Sequence, residues 1–219
     1  MNNLTYYFLL IITILPLFGC QNFNKSATGV DNKSYINNFE LLQENPNNQT
    51  TIKITSPKAI INPSNNDIEI FESTIELVNN NGQDFKVKSG NATLNNLDNS
   101  IRVYNSVNLL FLNIPYYDIS TNSFDWDLNT SIIDINNPVK INFDNTEIKA
   151  TNGFYNIGSS ILEIDNSEFN RYIYNSEGLE EYQVKINSDL SKWYKKDNTL
   201  EFTSNKKQVE TTINFLLTE

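Results

Sequence analysis

The residue types able to do chemistry in this chain are few, because the sequence contains no histidine and a single cysteine. Asp125, Asp127 and Asn129 share the alternate spacing that begins a calcium loop. Such a loop also needs a glycine at its sixth position and a glutamate at its twelfth, where this chain has Thr130 and Asn136. We therefore interpret these carboxylates as a solvated strand face and predict no metal site.

A second acidic cluster lies at Glu177, Glu180 and Glu181. Paired carboxylates can hydrolyse glycosidic bonds, but carboxylates in a bend of a chain with net charge −10 are expected only to be hydrated. Trp126 and Trp193 could stack on sugar rings, although their repeat positions favour packing in a core or an interface. No glycine-rich phosphate loop is found, so the sequence predicts no catalytic residues, no cofactor and no enzyme.

The sole cysteine, Cys20, follows a 13-residue apolar segment, residues 6–18. A helix that spans a membrane needs about 20 residues, so this length is typical of a signal peptide. The segment ends in "LFGC", which resembles the bacterial lipobox, where cleavage precedes a cysteine that then carries a diacylglycerol. We expect residues 1–19 to be a lipoprotein signal peptide and Cys20 to be lipidated. The alternative is an uncleaved anchor with an unmodified cysteine.

The polar segment that follows, residues 20–49, is rich in Asn and Ser and is predicted to be a tether. A short helical patch is expected at Tyr35–Gln43, and the folded domain is predicted to span residues 50–219. The net charge of −10 excludes nucleic acid as a partner, because such binding needs clustered Lys and Arg. Attachment to a membrane is expected through the lipid, since an acidic surface does not attract anionic headgroups.

The elements that must position these residues are copies of one phrase: a small residue, a polar bend and an alternating apolar run. The intervals between the small residues are 33, 31, 30 and 38 residues. The small residues that open the copies are Ala59, Ala92, Ser123, Gly153 and Ser191. Within the runs, apolar residues alternate with polar ones, as in residues 101–111, and this period of two indicates strands.

These features predict an all-β fold, an antiparallel β-jellyroll in which a sheet built from about five repeats of ~30 residues is folded over on itself. Its ends would carry strand edges without partners. A closed β-sandwich with a filled core fits the same pattern, and the pattern alone does not separate the two.

The repeat resembles the LptC/LptA/OstA family of lipopolysaccharide export. The most telling text is "FKVKSGNA", residues 85–92, which in that family links one hairpin to the next repeat. The resemblance covers residues 52–215. The chain departs from the family where glycines are expected, because Ser73, Ser106, Pro138 and Ser167 stand in their place.

A membrane-anchored single jellyroll is most similar to LptC, which sits on the inner-membrane ABC exporter and passes lipopolysaccharide to LptA. The resemblance implies a periplasmic protein on the inner membrane, with the outer membrane as the alternative, that holds acyl chains in an apolar groove. The candidate groove residues are Ile68, Ile70, Phe85, Val87, Ile101, Val103, Leu109, Ile133, Ile135, Ile141 and Phe143.

Handover would use sheet edges, with the amino-terminal edge toward the exporter. The carboxy-terminal strand, with Val209, Ile213 and Phe215, would face an LptA-like partner. The rival hypothesis is a structural or adhesive cell-envelope lipoprotein with a filled β-sandwich and no lipid cargo.

Overall fold

The computed structural model describes residues 33–45, 50–79, 82–112, 116–205 and 208–215. Within these ranges the chain forms 14 strands, all paired antiparallel, and no helix. The strands are β1 Ser34–Asn45, β2 Thr50–Asn62, β3 Asp67–Asn79, β4 Gly82–Asn95, β5 Ser100–Phe111, β6 Tyr117–Asp127, β7 Ile132–Ile135, β8 Val139–Phe143, β9 Thr146–Ala150, β10 Asn152–Asn156, β11 Ile161–Tyr174, β12 Glu180–Tyr194, β13 Thr199–Thr203 and β14 Glu210–Phe215. The predicted all-β fold is confirmed.

Strand β1 begins inside the segment predicted to be a tether. It pairs with β2 from Ser34 opposite Ile61 to Asn45 opposite Thr50. The predicted helical patch at Tyr35–Gln43 is therefore wrong, because these residues form a strand whose Phe39 side chain joins the core. The predicted signal peptide, Cys20 and the first part of the tether lie outside the described residues.

The sheet divides after β6 into two branches. Residues 125–127 of β6 pair with β7, whereas residues 118–120 pair with β8. The branches rejoin on β11, which pairs with β10 through residues 161–165 and with β9 through residues 168–171. Strand β12 divides again between β13 and β14.

The molecule therefore consists of two half-sheets joined by long strands that cross both. We call the half that contains β7, β10 and β13 the turn half, because five four-residue turns lie at its end. The half that contains β8, β9 and β14 is the loop half. The line along which the long strands bend from one half to the other is called the crease.

Residues with left-handed backbone conformation lie at the crease. Glu72 of β3 has φ 51°. A single such residue reverses the alternation of side chains, so Ile70 and Ile75, five positions apart, both point inward and are buried. Strand β11 bends in the same way at Asn166, with φ 50°.

Strand β5 has two such residues in succession, Asn105 with φ 66° and Ser106 with φ 60°. Two reversals restore the original phase, so Val103 and Val107, four positions apart, are both buried. Asn, the commonest residue of this chain, tolerates left-handed geometry better than most. The bends of the sheet therefore depend on local residue choice as well as on packing.

Buried serines line the inside of the crease. The hydroxyls of Ser73 and Ser89 lie 2.7 Å apart, and those of Ser167, Ser188 and Ser191 form a triangle with sides of 2.9, 2.5 and 2.8 Å. These groups satisfy one another, so the polar line is compatible with an otherwise apolar interior.

The five turns repeat at nearly constant intervals along the chain. Each consists of four residues and ends on a residue with positive φ. Those residues are Asn66, Asn99, Ser131, Ser160 and Asn198. The side chain before the turn often accepts backbone N–H groups from within it, as Asn95 does from Leu97 at 2.9 Å. The predicted repeats therefore correspond to successive hairpins.

Four of the five small residues that open the repeats are buried, and the exception is Ser123. Ala59, Ala92 and Ser191 are fully buried. A Cβ atom added at Gly153 would lie 2.7 Å from the carbonyl oxygen of Glu163. Glu163 lies on the neighbouring strand β11, so a larger side chain at position 153 would force these two strands apart.

Candidate functional site

The candidate site is the apolar interior between the two halves. Nine of the eleven predicted groove residues are buried, and Ile68 and Phe143 are partly buried against the same cluster. All eleven belong to one contiguous core that draws on both halves. Their polar neighbours along the strands, such as Arg102 and Lys140, face outward and are exposed. Their role as a lipid groove remains a proposal.

An aromatic seam closes this interior along the side opposite the crease. It consists of Phe85, Phe111 and Tyr117 from the loop half, and Trp126, Tyr155 and Trp193 from the turn half. Ring centroids across the seam lie 5.5 Å apart for Phe85 and Trp126, 5.0 Å for Phe111 and Tyr155, and 5.3 Å for Phe111 and Trp193. None of these pairs are neighbours in the sheet, so the contacts hold the two halves together.

Tyr117 and Trp193 make the closest ring contact of the seam, with centroids 3.8 Å apart and planes inclined by 34°. The Tyr117 hydroxyl also donates a hydrogen bond to the Asn198 side chain in the fifth turn. Burial, and then the charge of Asp144, raise the pKa of the Tyr117 phenol. Burial, and then the charge of Asp84, likewise raise the pKa of Tyr155. Both phenols therefore remain neutral in the physiological range.

One buried ion pair lies beside the aromatic seam. The Lys195 Nζ atom, in the fifth turn, contacts the Asp84 carboxylate of the loop half, and the two side chains are only 9% and 10% exposed. The same ammonium lies 4.9 Å from the centre of the Phe111 ring. Ion pairs elsewhere in the described residues, such as Lys86 with Glu76, lie within one strand or between neighbouring strands, and they are more exposed.

The interior of this structure is closed and well filled. A cavity of about 10 Å³, the space of a single water molecule, lies between Tyr117, Ile141 and Trp193. A lipid chain would therefore need the two halves to move apart at the seam.

Strand edges flank the interior at both ends of the sheet. Strand β1 pairs only with β2, and β14 pairs only with β12, among the strands that the structure describes. All six residues of β14 are exposed, with Ile213 52% and Phe215 73% accessible. Val209, which precedes this strand, is 37% exposed. The predicted edge residues thus lie on or beside a strand with one unpaired side.

The acidic residues first considered for chemistry have structural surroundings. Asp125 lies 3.8 Å from Arg102 on the outer face. Asp127 accepts backbone N–H groups from Asn129 and Thr130, and these hydrogen bonds, that of Thr130 first, lower the pKa of its carboxyl group.

The second acidic cluster lies at the turn between β11 and β12, where Glu177, Glu180 and Glu181 are exposed. Of these, Glu180 accepts a hydrogen bond from the Tyr174 hydroxyl at 3.3 Å. No group of metal-ligating side chains is found in the part of the chain that the structure describes.

Sequence reasoning did not identify the seam or its ion pair. A partial signal existed, because Tyr155 and Trp193 each stand two residues after the small residue that opens a repeat. No signal existed for Lys195 and Asp84, which are 111 positions apart. Their meeting depends on the folding of the whole sheet.

These features define the class of protein as an antiparallel β-jellyroll with two opposed apolar faces. Residues 8–167 match the family described as lipopolysaccharide-assembly, LptC-related. The match spans most of the chain, and the protein belongs to the LptC family. No curated protein matches the chain significantly.

Membership of the LptC family implies a role in lipopolysaccharide export. The family is one of transport components, and its members are periplasmic and associated with the inner membrane. No helix among the described residues combines the length and the apolar character needed to cross a bilayer.

Proposed function

We propose that the protein is a membrane-anchored component of the export machinery that holds lipid acyl chains between its two halves. It would receive lipopolysaccharide from the inner-membrane ABC exporter and pass it to an LptA-like partner. The observation that carries this proposal is the continuous cluster of aliphatic and aromatic side chains between the halves. At each end of the sheet lies a strand edge that has no partner among the described strands.

The energetics of acyl chains explain why such an interior is useful. The interior would shield about ten methylene groups of a 12–14-carbon chain from water. At 0.8 kcal/mol for each group, this burial stabilises the bound chain by roughly 8–10 kcal/mol. This gain offsets the loss of contacts when the seam separates. Sugars and phosphates would stay in water, and the exporter would supply the work of directional transfer.

Handover is proposed to use the two edges. β1 would pair with a strand of the exporter, and β14 would pair with the first strand of the next jellyroll. Backbone hydrogen bonds would supply affinity, and exposed side chains such as Phe215 would supply specificity.

Anchoring is proposed to occur through Cys20. Residues 1–19 would be removed as a signal peptide, and acyl chains on the cysteine would hold the protein to the inner membrane. Because β1 begins at Ser34, the tether would be shorter than residues 20–49.

The alternative function, a structural or adhesive lipoprotein without cargo, is consistent with the filled interior. The match to the LptC family does not favour it. It predicts that no lipid ever lies between the halves. Photo-crosslinking in cells separates the two functions directly.

The proposed test places benzoylphenylalanine at Phe143, a partly buried position that already holds an aromatic ring. Illumination is expected to give a lipid-shifted band, and the same is expected from probes at Val103 and Ile141. The matched control is Lys140, which lies on the same strand but faces outward. Equal labelling from Lys140 and Phe143 would contradict the proposal.

A further inference from the structure

We propose that Lys195 binds the phosphate of an anionic acylated lipid, and that Asp84 occupies this site until the lipid arrives. The inference rests on the proposed function, because it concerns the lipid held between the halves. It assigns a headgroup site to one named cation at the rim of the apolar interior.

The position of Lys195 is the first part of the argument. It opens the fifth turn of the turn half, two residues after the seam residue Trp193 of β12. Asp84 lies near the start of β4 in the loop half. The ion pair therefore crosses the same gap that a lipid must open, and any movement that separates the halves also separates the pair.

Burial is the second part of the argument. Both side chains are about one-tenth exposed, whereas the side chains of the other ion pairs in the described ranges are 22–67% exposed. A buried ammonium needs a counter-charge, because removing one partner leaves an uncompensated charge. When the gap opens, Lys195 loses its carboxylate and requires another anion in the same place.

The neighbourhood selects the kind of anion. Phe111, whose ring lies under the ammonium, is fully buried and belongs to the interior core. A ligand at this site would thus present its charge to Lys195 and its apolar part to the aromatic seam. A phosphate attached to an acylated sugar has this arrangement, and lysine is a common phosphate ligand.

This arrangement also explains how a chain of net charge −10 can accept an anionic lipid. The family match covers Asp84 but ends before Lys195, so the pair joins the matched part of the chain to the strands that follow it.

The test uses the full chain, purified from membranes and reconstituted in phosphatidylcholine vesicles, with benzoylphenylalanine at Phe143. A synthetic acylated disaccharide is supplied with two phosphates or with none, and photo-adducts are counted by mass spectrometry. The otherwise unsubstituted protein is expected to label the phosphorylated lipid about tenfold more, the order expected for one charge-assisted hydrogen bond.

Substitutions at Lys195 and Asp84 test whether the preference for the phosphorylated lipid depends on this ion pair. Lys195→Gln is expected to abolish the preference for the phosphorylated lipid, and Lys195→Arg is expected to keep it. Asp84→Asn is expected to raise labelling of the phosphorylated lipid, because the competing carboxylate is gone. Lys192→Gln is the matched control, since Lys192 pairs with Glu163 at 2.9 Å on the outer face, three residues away. Circular dichroism of each variant verifies the fold.

Equal labelling of the two lipids by the unsubstituted protein, above the Lys140 control, would overturn the headgroup site and leave the proposed function intact. Labelling no stronger than that control would instead contradict the proposed function. Loss of the preference in an equal concentration of inorganic phosphate would show a site for free phosphate and would overturn the assignment to a lipid.

Discussion

Phe111 illustrates how single side chains hold the folded sheet closed. It belongs to the loop half, yet its ring contacts Tyr155 and Trp193 of the turn half and lies beneath the Lys195 ammonium. Edge-to-face aromatic pairs of this kind contribute roughly 0.5–1.5 kcal/mol each beyond burial of their area. Several contacts that join the two halves therefore depend on this one ring.

Replacing Phe111 with alanine is expected to lower the free energy of unfolding by about 3–5 kcal/mol, through lost burial and the cavity that remains. Urea unfolding followed by tryptophan fluorescence measures this change. Phe154→Ala is the control, because Phe154 lies on the outer face and is 39% exposed. Equal losses of unfolding free energy in the two variants would show that the aromatic seam does not stabilise the fold.

Residues within a regular run could be predicted from the sequence, but those beyond a single reversal of the side-chain alternation could not. Ile101 and Val103 were identified because their alternation is uninterrupted. Ile75 and Leu77 are just as buried and were not identified, because the single left-handed residue Glu72 reverses the phase before them. A reversal of this kind depends on a backbone angle that residue types alone do not specify.

At the scale of elements, the two edge strands differ in how they are covered. Strand β1 contributes the buried Phe39 to the core, whereas β14 contributes no buried side chain. β14 is held by its pairing with residues 182–187 of β12 and by the contact of Phe215 with Tyr182. It can therefore be removed with little effect on the core.

Truncation after Glu201 is expected to abolish binding of an LptA-like partner while the protein stays folded and soluble. The structure suggests a sharper variant that ends after residue 207, because it keeps all of β13 and the contact of Phe202 with Phe169. A pull-down with the partner measures binding, and deletion of residues 216–219 alone is the control. Capture of the partner at normal levels by the shorter form would rule out β14 as the docking edge.

The strands within the repeats were predictable, whereas β1, which lies in the predicted tether, was not. The segment of β1 includes Glu40, Leu41, Leu42 and Gln43, all good helix formers, which led to the predicted helical patch. In the structure these residues pair with residues 52–55 of β2. Tertiary pairing overrides local propensity here, and the partner strand cannot be read from the segment itself.

At the scale of the whole molecule, the proposed attachment to a membrane depends on Cys20, which lies outside the described residues. Cys20→Ser is expected to abolish incorporation of labelled palmitate in growing cells, because the sequence contains no other cysteine. Gly19→Ala is expected to preserve labelling, since the position before the cysteine needs only a small residue. Continued labelling of Cys20→Ser would contradict lipidation at this residue.

The repeated hairpins also make the length of the protein adjustable. Neighbouring strands lie about 4.8 Å apart, so one additional hairpin would lengthen each half by roughly 10 Å. The cross-section and both terminal strands would stay the same, because each hairpin contacts mainly its immediate neighbours. Evolution could thus lengthen the apolar interior without altering the two terminal strands that we propose as docking edges.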